Sequence, residues 1–313
     1  MRLLRHLLPA VLLVLICVAA IAQKPIKEKT DTKLQQKLEA LVKEFDGEVG
    51  IYVRHLKTGK AVAINADTLF PTASMIKVPI MVAMFDKIER GEINPNAQLR
   101  YRDSLYYAGE DIVGNFKDSA VVALGKVQML SITTSDNTGS LWLQQLAGGG
   151  TAINAWLEKN GFEKTRMNSR TPGRRKNWEQ YGWGQTTPRE MANLVTMIRE
   201  GKAVSPAASE RMYRNLGRIY YDSYALSKIP PYVHTASKSG AVNQSKSEVV
   251  LVNAPNGDYV FCIITKNQKD ERWAPDNAGA VLIQKVSETL WKHFEPKSNW
   301  EPAPGIEKYS NLY

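Results

Sequence analysis

Phe70-Pro71-Thr72-Ala73-Ser74-Met75-Ile76-Lys77-Val78-Pro79-Ile80-Met81 is the stretch on which the reading of this chain turns. The apolar positions Met75, Ile76, Val78, Ile80, Met81, Met84 and Phe85 have the pattern of a buried helix opening at Ser74. Lys77, three residues on, falls on the same face as Ser74, within reach of its hydroxyl. Flanked by Ile76 and Val78, the amine is partly desolvated, which lowers its pKa and suits it to act as a base. The helix N-terminus adds positive potential where a carbonyl would react. Pro79 removes an N–H early in the run and predicts a local distortion. Taken alone, a Ser-x-x-Lys is most simply a helix start followed by a solvated lysine, so the rest of the chain has to decide.

Two later motifs complete a set. Ser135-Asp136-Asn137 sits between two helical patterns, where any of the three residues could cap a helix. Read as chemistry, Ser135 shuttles a proton toward a leaving nitrogen and Asn137 hydrogen-bonds a substrate amide. Lys238-Ser239-Gly240-Ala241 precedes a hairpin. There Lys238 and Ser239 suit a substrate carboxylate, and Gly240 permits close backbone approach. The N–H of Ala241, with that of Ser74, would then form an oxyanion hole. A hydroxyl activated by an amine, a second hydroxyl and an oxyanion hole are what nucleophilic attack on an amide needs.

The 313 residues, 43% hydrophobic and 23% charged, are ordinary for a globular chain with a sizeable core. Residues 1–22 stand apart: Arg2 and Arg5 precede an apolar run from Leu7 to Ala20, and Ala20-Ile21-Ala22 offers a cleavage site. This reads as a secretory signal peptide, with no stable membrane span after cleavage and a periplasmic or otherwise secreted destination. Its removal takes Cys17 and leaves Cys262, in the apolar run Tyr259–Ile264, as a buried small hydrophobe. The formal charge of +10, two units of which belong to Arg2 and Arg5, favours anionic partners only weakly. No aromatic-interleaved basic stripe suggests nucleic acid. His6, His55, His234 and His293 show no ligand spacing, so no metal or cofactor is implied.

Residues 23–34 read as a flexible lead, and 295–313 as a loose Pro-rich tail. Val49–Val53 and Ala61–Ile64 read as one hairpin, and Glu248–Asn253 with Asp258–Thr265 as another, turning at Pro255-Asn256-Gly257. Between them the pattern is helical, with Thr187-Pro188-Arg189-Glu190 marking a clear helix start. Strands from both ends and helices from the middle predict an α/β (α+β) domain, residues 35–72 and 205–294. An inserted helical domain, residues 73–204, would leave a cleft where the two meet.

Ser74 and Ser135 lie 61 residues apart, and Ser135 and Lys238 lie 103 apart. With those spacings, Gly148-Gly149 and Thr186-Thr187-Pro188-Arg189-Glu190-Met191-Ala192, the chain from Leu38 to Trp291 resembles the class A β-lactamases. The resemblance implies a five-stranded antiparallel sheet with flanking helices beside a helical domain, acting as a monomer. It also implies acylation of Ser74 by a β-lactam or a peptidoglycan-like acyl substrate, with Lys77 as base and Ser135 as relay.

One part is missing. In the family a loop glutamate activates the deacylating water, and measured back from Pro188 its position falls at Thr171. Glu163 and Glu179 are the nearest carboxylates, and Glu179, among Trp178, Tyr181 and Trp183, is the better candidate; Lys77 itself is the other. Acylation is fully equipped and deacylation is not. Three readings follow: a slow β-lactamase, a penicillin-binding or sensing protein that stays acylated, or a peptidoglycan DD-peptidase or esterase.

Overall fold

The computed structural model describes residues 26–109 and 111–309, and the presumed signal peptide lies outside them. Its main sheet contains β1 (Lys29–Thr30), β2 (Glu48–His55), β3 (Lys60–Ile64), β4 (Thr235–Val242), β5 (Ser245–Val252) and β6 (Tyr259–Lys266), in the order β1-β3-β2-β6-β5-β4. The two hairpins expected from sequence meet at β2 and β6, where Val53 pairs with Phe261 and Ile51 with Ile263. All pairings are antiparallel except β1 on β3, so five long strands form the predicted sheet and a two-residue strand extends its edge.

Alternation along the strands divides the apolar residues between two faces. Ile51, Val53, Val250, Val252, Phe261 and Ile263 pack against helices α1 (Thr32–Lys43) and α9 (Ala278–Phe294). Tyr52, Val249, Leu251, Val260, Cys262 and Ile264 join the larger cluster on the opposite face. Every residue of β5 is buried, including the polar Ser245–Glu248, and only its second half, Val249–Val252, reads as a continuous apolar run. Cys262 is fully buried, and burial pushes its thiol pKa up, which leaves it inert.

The larger cluster contains α2 (Lys77–Glu89), whose residues Lys77 through Phe85 are all buried. Around α2 pack α3 (Leu124–Thr133), α4 (Asn137–Leu146), α5 (Gly149–Lys159) and α8 (Pro206–Leu216). A helix that is apolar on every side has to be enclosed on every side, and α2 meets that condition. Pro79 causes less disturbance than its position suggested. Ala73–Ile76 form a 3-10 turn and the α-helix begins at Lys77, so Pro79 falls in the first α-turn, where its missing N–H costs nothing.

Three expectations about organisation need correction. Lys29–Thr30, placed in the flexible lead, pairs with Lys60–Ala61, and the buried Asp31 carboxylate caps α1 by accepting from the Leu34 N–H at 3.2 Å. Helix α7 (Pro188–Arg199), placed in the helical insert, packs on β2, β5 and β6. Its apolar stripe Met191, Leu194, Val195 and Ile198 is buried there, so the insert and the sheet share one core. The tail is tied at its start, where Glu295 Oε1 accepts from the Asn256 N–H at 2.8 Å.

Leu38 of α1 is fully buried on the sheet face opposite α2. Leu38→Ala is expected to cost about 2–5 kcal/mol in urea unfolding. It should leave the chemistry at Ser74 unchanged.

Candidate active site

Ser74, Lys77, Ser135, Asn137 and Lys238, drawn from three separate segments, converge at the junction of the sheet and α2. Ser74 lies in the 3-10 turn and Lys77 starts α2, so the three-residue spacing sets Lys77 Nζ 3.1 Å from Ser74 Oγ. Lys77 Nζ donates to Ser135 Oγ at 3.0 Å, to Asn137 Oδ1 at 2.8 Å and to the Ser135 carbonyl oxygen. Ser135 Oγ also accepts from Lys238 Nζ at 3.0 Å, which in turn donates to the Ser239 carbonyl at 2.9 Å. One hydroxyl therefore bridges two buried amines.

The turns that deliver these groups are conformationally costly. Ala73, just before the nucleophile, has φ +43°, and Ser135 has φ +56°, the left-handed region that side chains other than glycine rarely adopt. Ser135 is held there by its neighbours. Asp136 caps α4, accepting from Gly139 N–H at 2.7 Å and from Val113 N–H at 2.8 Å. Asp111 accepts from the N–H groups of Asn137 and Thr138 at 2.9 and 2.7 Å. A capping role for Asp136 was among the readings the sequence left open, whereas Asp111 was not singled out, because the chain between residues 111 and 136 gives no sign that it folds back onto this helix start.

Burial dominates the electrostatics. Lys77 is fully buried, and desolvation brings its pKa down to about 7, against an upward pull from Asp111 and Asp136. Lys238, equally buried, is lowered by desolvation and by the neighbouring Lys77, while Glu248 beneath the strand opposes the shift. Glu248 accepts from Ser237 Oγ and from the Ala225 N–H at 2.7 Å, and desolvation pushes its carboxyl up to about 7. Lys77 is thus neutral in a substantial fraction of molecules near neutral pH, as a base must be.

Strand β4 forms the edge of the sheet and runs beside the nucleophile. A Cβ on Gly240 would lie 2.6 Å from the Thr72 carbonyl and 2.9 Å from the Ser74 nitrogen, so only glycine lets the strand approach this closely. Ala241 lines the same wall of a cleft of about 560 Å³ together with Ser74, Ser135 and Asn137. Ser239 is buried on β4, paired in register with Glu248.

The loop side departs from expectation. Glu179, the sequence candidate for activating water, is exposed on the short helix α6 (Arg175–Tyr181), where its carboxylate accepts from Arg175 Nε at 2.7 Å. The helical turn points residue 179 outward while Gln180, Tyr181, Gly182 and Trp183 line the cleft. Glu163 is exposed too, and Thr171 packs beside Gly150 at the start of α5. Among the described residues lining the cleft, Asp111 is the one carboxylate, and its oxygens are committed to the start of α4. The Trp183 ring centroid stands 5.9 Å from Lys77 Nζ, and Tyr107 meets that ring edge-on at 5.2 Å. Glu179, expected from sequence to reach the nucleophile, does not line the cleft. His234 packs against Tyr213, away from the cleft.

Residues 33–294 match the model of the β-lactamase enzyme family. The chain belongs to that family. It is 20% identical to β-lactamase VEB-1 of Pseudomonas aeruginosa, covering 83% of this chain and 90% of the relative. A β-lactamase of Streptomyces fradiae is 26% identical over 82% of this chain and 85% of its own. The solved structure of PBP-A superposes with a TM-score of 0.78 at 27% identity, covering 87% of this chain and all of that one. A variant of PBP-A captured as its acyl-enzyme with penicillin G superposes at 0.77 with 28% identity, covering 86% of this chain and 99% of its own. This β-lactamase relative thus shares the fold with its family across nearly the whole described chain.

Gly240→Ala is expected to push β4 away from Ser74 and lower acylation by about 10²–10³, the size of a lost oxyanion donor. Stopped-flow acylation kinetics on a folded variant check it. Glu179→Gln should leave both acylation and deacylation unchanged, since its carboxylate faces solvent.

Proposed function

We propose that this protein is an exported, monomeric serine acyl-transfer enzyme that opens β-lactam-type amides on Ser74 and releases the product slowly. The observation that carries the reading is the Ser135 hydroxyl held 3.0 Å from both Lys77 Nζ and Lys238 Nζ, with Ser74 Oγ 3.1 Å from the same Lys77. A neutral Lys77 takes the proton of the Ser74 hydroxyl as Oγ adds to the carbonyl carbon. The N–H groups of Ser74 and Ala241 stabilise the oxyanion that forms. Lys77 then passes a proton to Ser135 Oγ, which gives its own to the departing ring nitrogen as the C–N bond breaks. Lys238 holds the relay hydroxyl and, with Ser239, attracts the substrate carboxylate, while Asn137 holds the amide of the acyl branch.

Among the described residues lining the cleft, no carboxylate is free to activate water at the resulting ester, and losing a general base costs about 10²–10⁴ in rate. This favours a long-lived acyl-enzyme, and a similar structure, a PBP-A variant, was captured as its acyl-enzyme with penicillin G. The other readings, a DD-peptidase or esterase on peptidoglycan-like substrates, use the same first half-reaction. Export rests on the pattern of residues 1–22.

Intact-mass measurement after mixing with a chromogenic β-lactam is expected to show one adduct per chain, persisting after free substrate is removed and absent in Ser74→Ala. Rapid multiple turnover without accumulation would overturn the slow-release reading. The absence of any adduct would overturn acylation by β-lactams. The acylation rate should climb as pH rises through about 7 and then level off, because the base has to be neutral. A flat profile between about pH 5 and 9 would remove Lys77 from that role.

A further inference from the structure

Water could reach an ester on Ser74 from few directions. Ser135, Asn137 and Lys238 occupy one side of the nucleophile pair, and Gly240 and Ala241 of β4 close another. The remaining side faces the loop between residues 166 and 186, and there an indole stands over Lys77. Trp183 is fixed more firmly than its place in a loop suggests. Its carbonyl accepts from the N–H groups of Asn168 and Ser169 at 2.8 and 2.9 Å. Gly182 before it turns with φ +67°, and Gly184 after it packs so tightly that a Cβ would lie 2.5 Å from Ile76. Tyr107 braces the ring edge-on.

We propose that Trp183 is a shielding and positioning residue that keeps water off the Ser74 ester and so sets the lifetime of the acyl-enzyme. The inference rests on the acyl-enzyme reading above. Hydrolysis needs a water whose oxygen adds to the ester carbonyl and whose proton is accepted by neutral Lys77, the base beside Ser74 Oγ. The C–Oγ bond then breaks, Ser74 Oγ is reprotonated and the acyl group leaves as a carboxylic acid. An indole has no acceptor to hold such a water, since its N–H only donates and its faces are apolar. The same ring helps to keep Lys77 dry. Its contact with the amine works in the opposite direction, as a cation–π attraction favouring the charged form, but desolvation is the larger influence on Lys77. The groups facing this amine are Ser74, Ser135, Asn137 and Trp183, with Asp111, Asp136 and Lys238 as the charges around it.

The test compares wild type, Trp183→Ala and Trp183→Phe, each acylated with a chromogenic β-lactam and followed by intact mass across pH. Trp183→Ala is expected to shorten the adduct lifetime by at least about tenfold, while the plateau rate of acylation at high pH stays the same. It should also move the pH midpoint of acylation upward as water reaches Lys77. Trp183→Phe, still apolar, should stay close to wild type. A purely structural role would slow acylation while leaving both the lifetime and the pH midpoint in place, and that result overturns the inference. Should Trp183→Ala fail to fold, Tyr107→Ala, at the surface, frees the same ring. A shortened lifetime there supports the shield and an unchanged one overturns it. A wild-type adduct with equal lifetime in Trp183→Ala defeats only the shielding role; no wild-type adduct at all defeats the acyl-enzyme reading along with it.

Discussion

Enclosing an amine in a protein interior is the constraint from which the rest of this site follows. Lys77 is fully buried at the start of an all-apolar helix, and every polar group that faces it is there because an unpartnered buried amine would be prohibitively costly. Ser74, Ser135 and Asn137 supply oxygen acceptors within 3.1 Å, and that solvation by fixed hydroxyls and an amide replaces water without restoring its full strength. The shortfall brings the amine down toward neutrality, the state the proposed base role requires. The bridging hydroxyl of Ser135 extends the arrangement to Lys238, so the two lysines depend on one another's placement.

Holding the groups in register demands backbone strain, and the fold supports it from three sides. Positive φ at Ala73 and Ser135 costs about 1–3 kcal/mol each where no glycine relieves it. Asp136 and Asp111 anchor the second of these turns through hydrogen bonds to α4, while β4 lies so close to the first that Gly240 has no room for a side chain. The sheet is stiff because both faces of β5 are covered. It therefore serves as the reference surface against which Ser74 and Ser135 are placed, and the shared core with α2 and α7 binds the helical part to it.

On the proposed reading, the two halves of the reaction draw on different parts of the fold, and the second depends on the loop after α5. The groups that form an ester on Ser74 come from the rigid core, whereas the groups that would break it have to come from this loop. Here the loop supplies Trp183, a ring without acceptors, and turns Glu179 into solvent against Arg175. The proposed reaction would then have acylation and deacylation under separate structural control.

The sequence by itself determined the main elements and the pairing of Ser74 with Lys77. Period-two apolar runs and the Asn256-Gly257 turn defined the hairpins, Thr187-Pro188 defined the start of α7, and the spacing of Ser74 and Lys77 followed from helical geometry alone. These signals are local, so they survive without knowledge of the fold. The lead at Lys29–Thr30 was misread because a two-residue strand has no pattern of its own and exists only through its partner at Lys60–Ala61. The tertiary structure decided what proximity in sequence cannot: that Asp111 reaches Asn137 and that Glu179 faces away while Trp183, four residues later, faces in. The reason is geometric. Residues four apart share a face of a continuing α-helix, but α6 ends at Tyr181 and Gly182 turns with φ +67°, so Trp183 leaves the helical register; how that segment docks is set by contacts such as Arg174 with Asn168 and Gln185 that lie far from any motif.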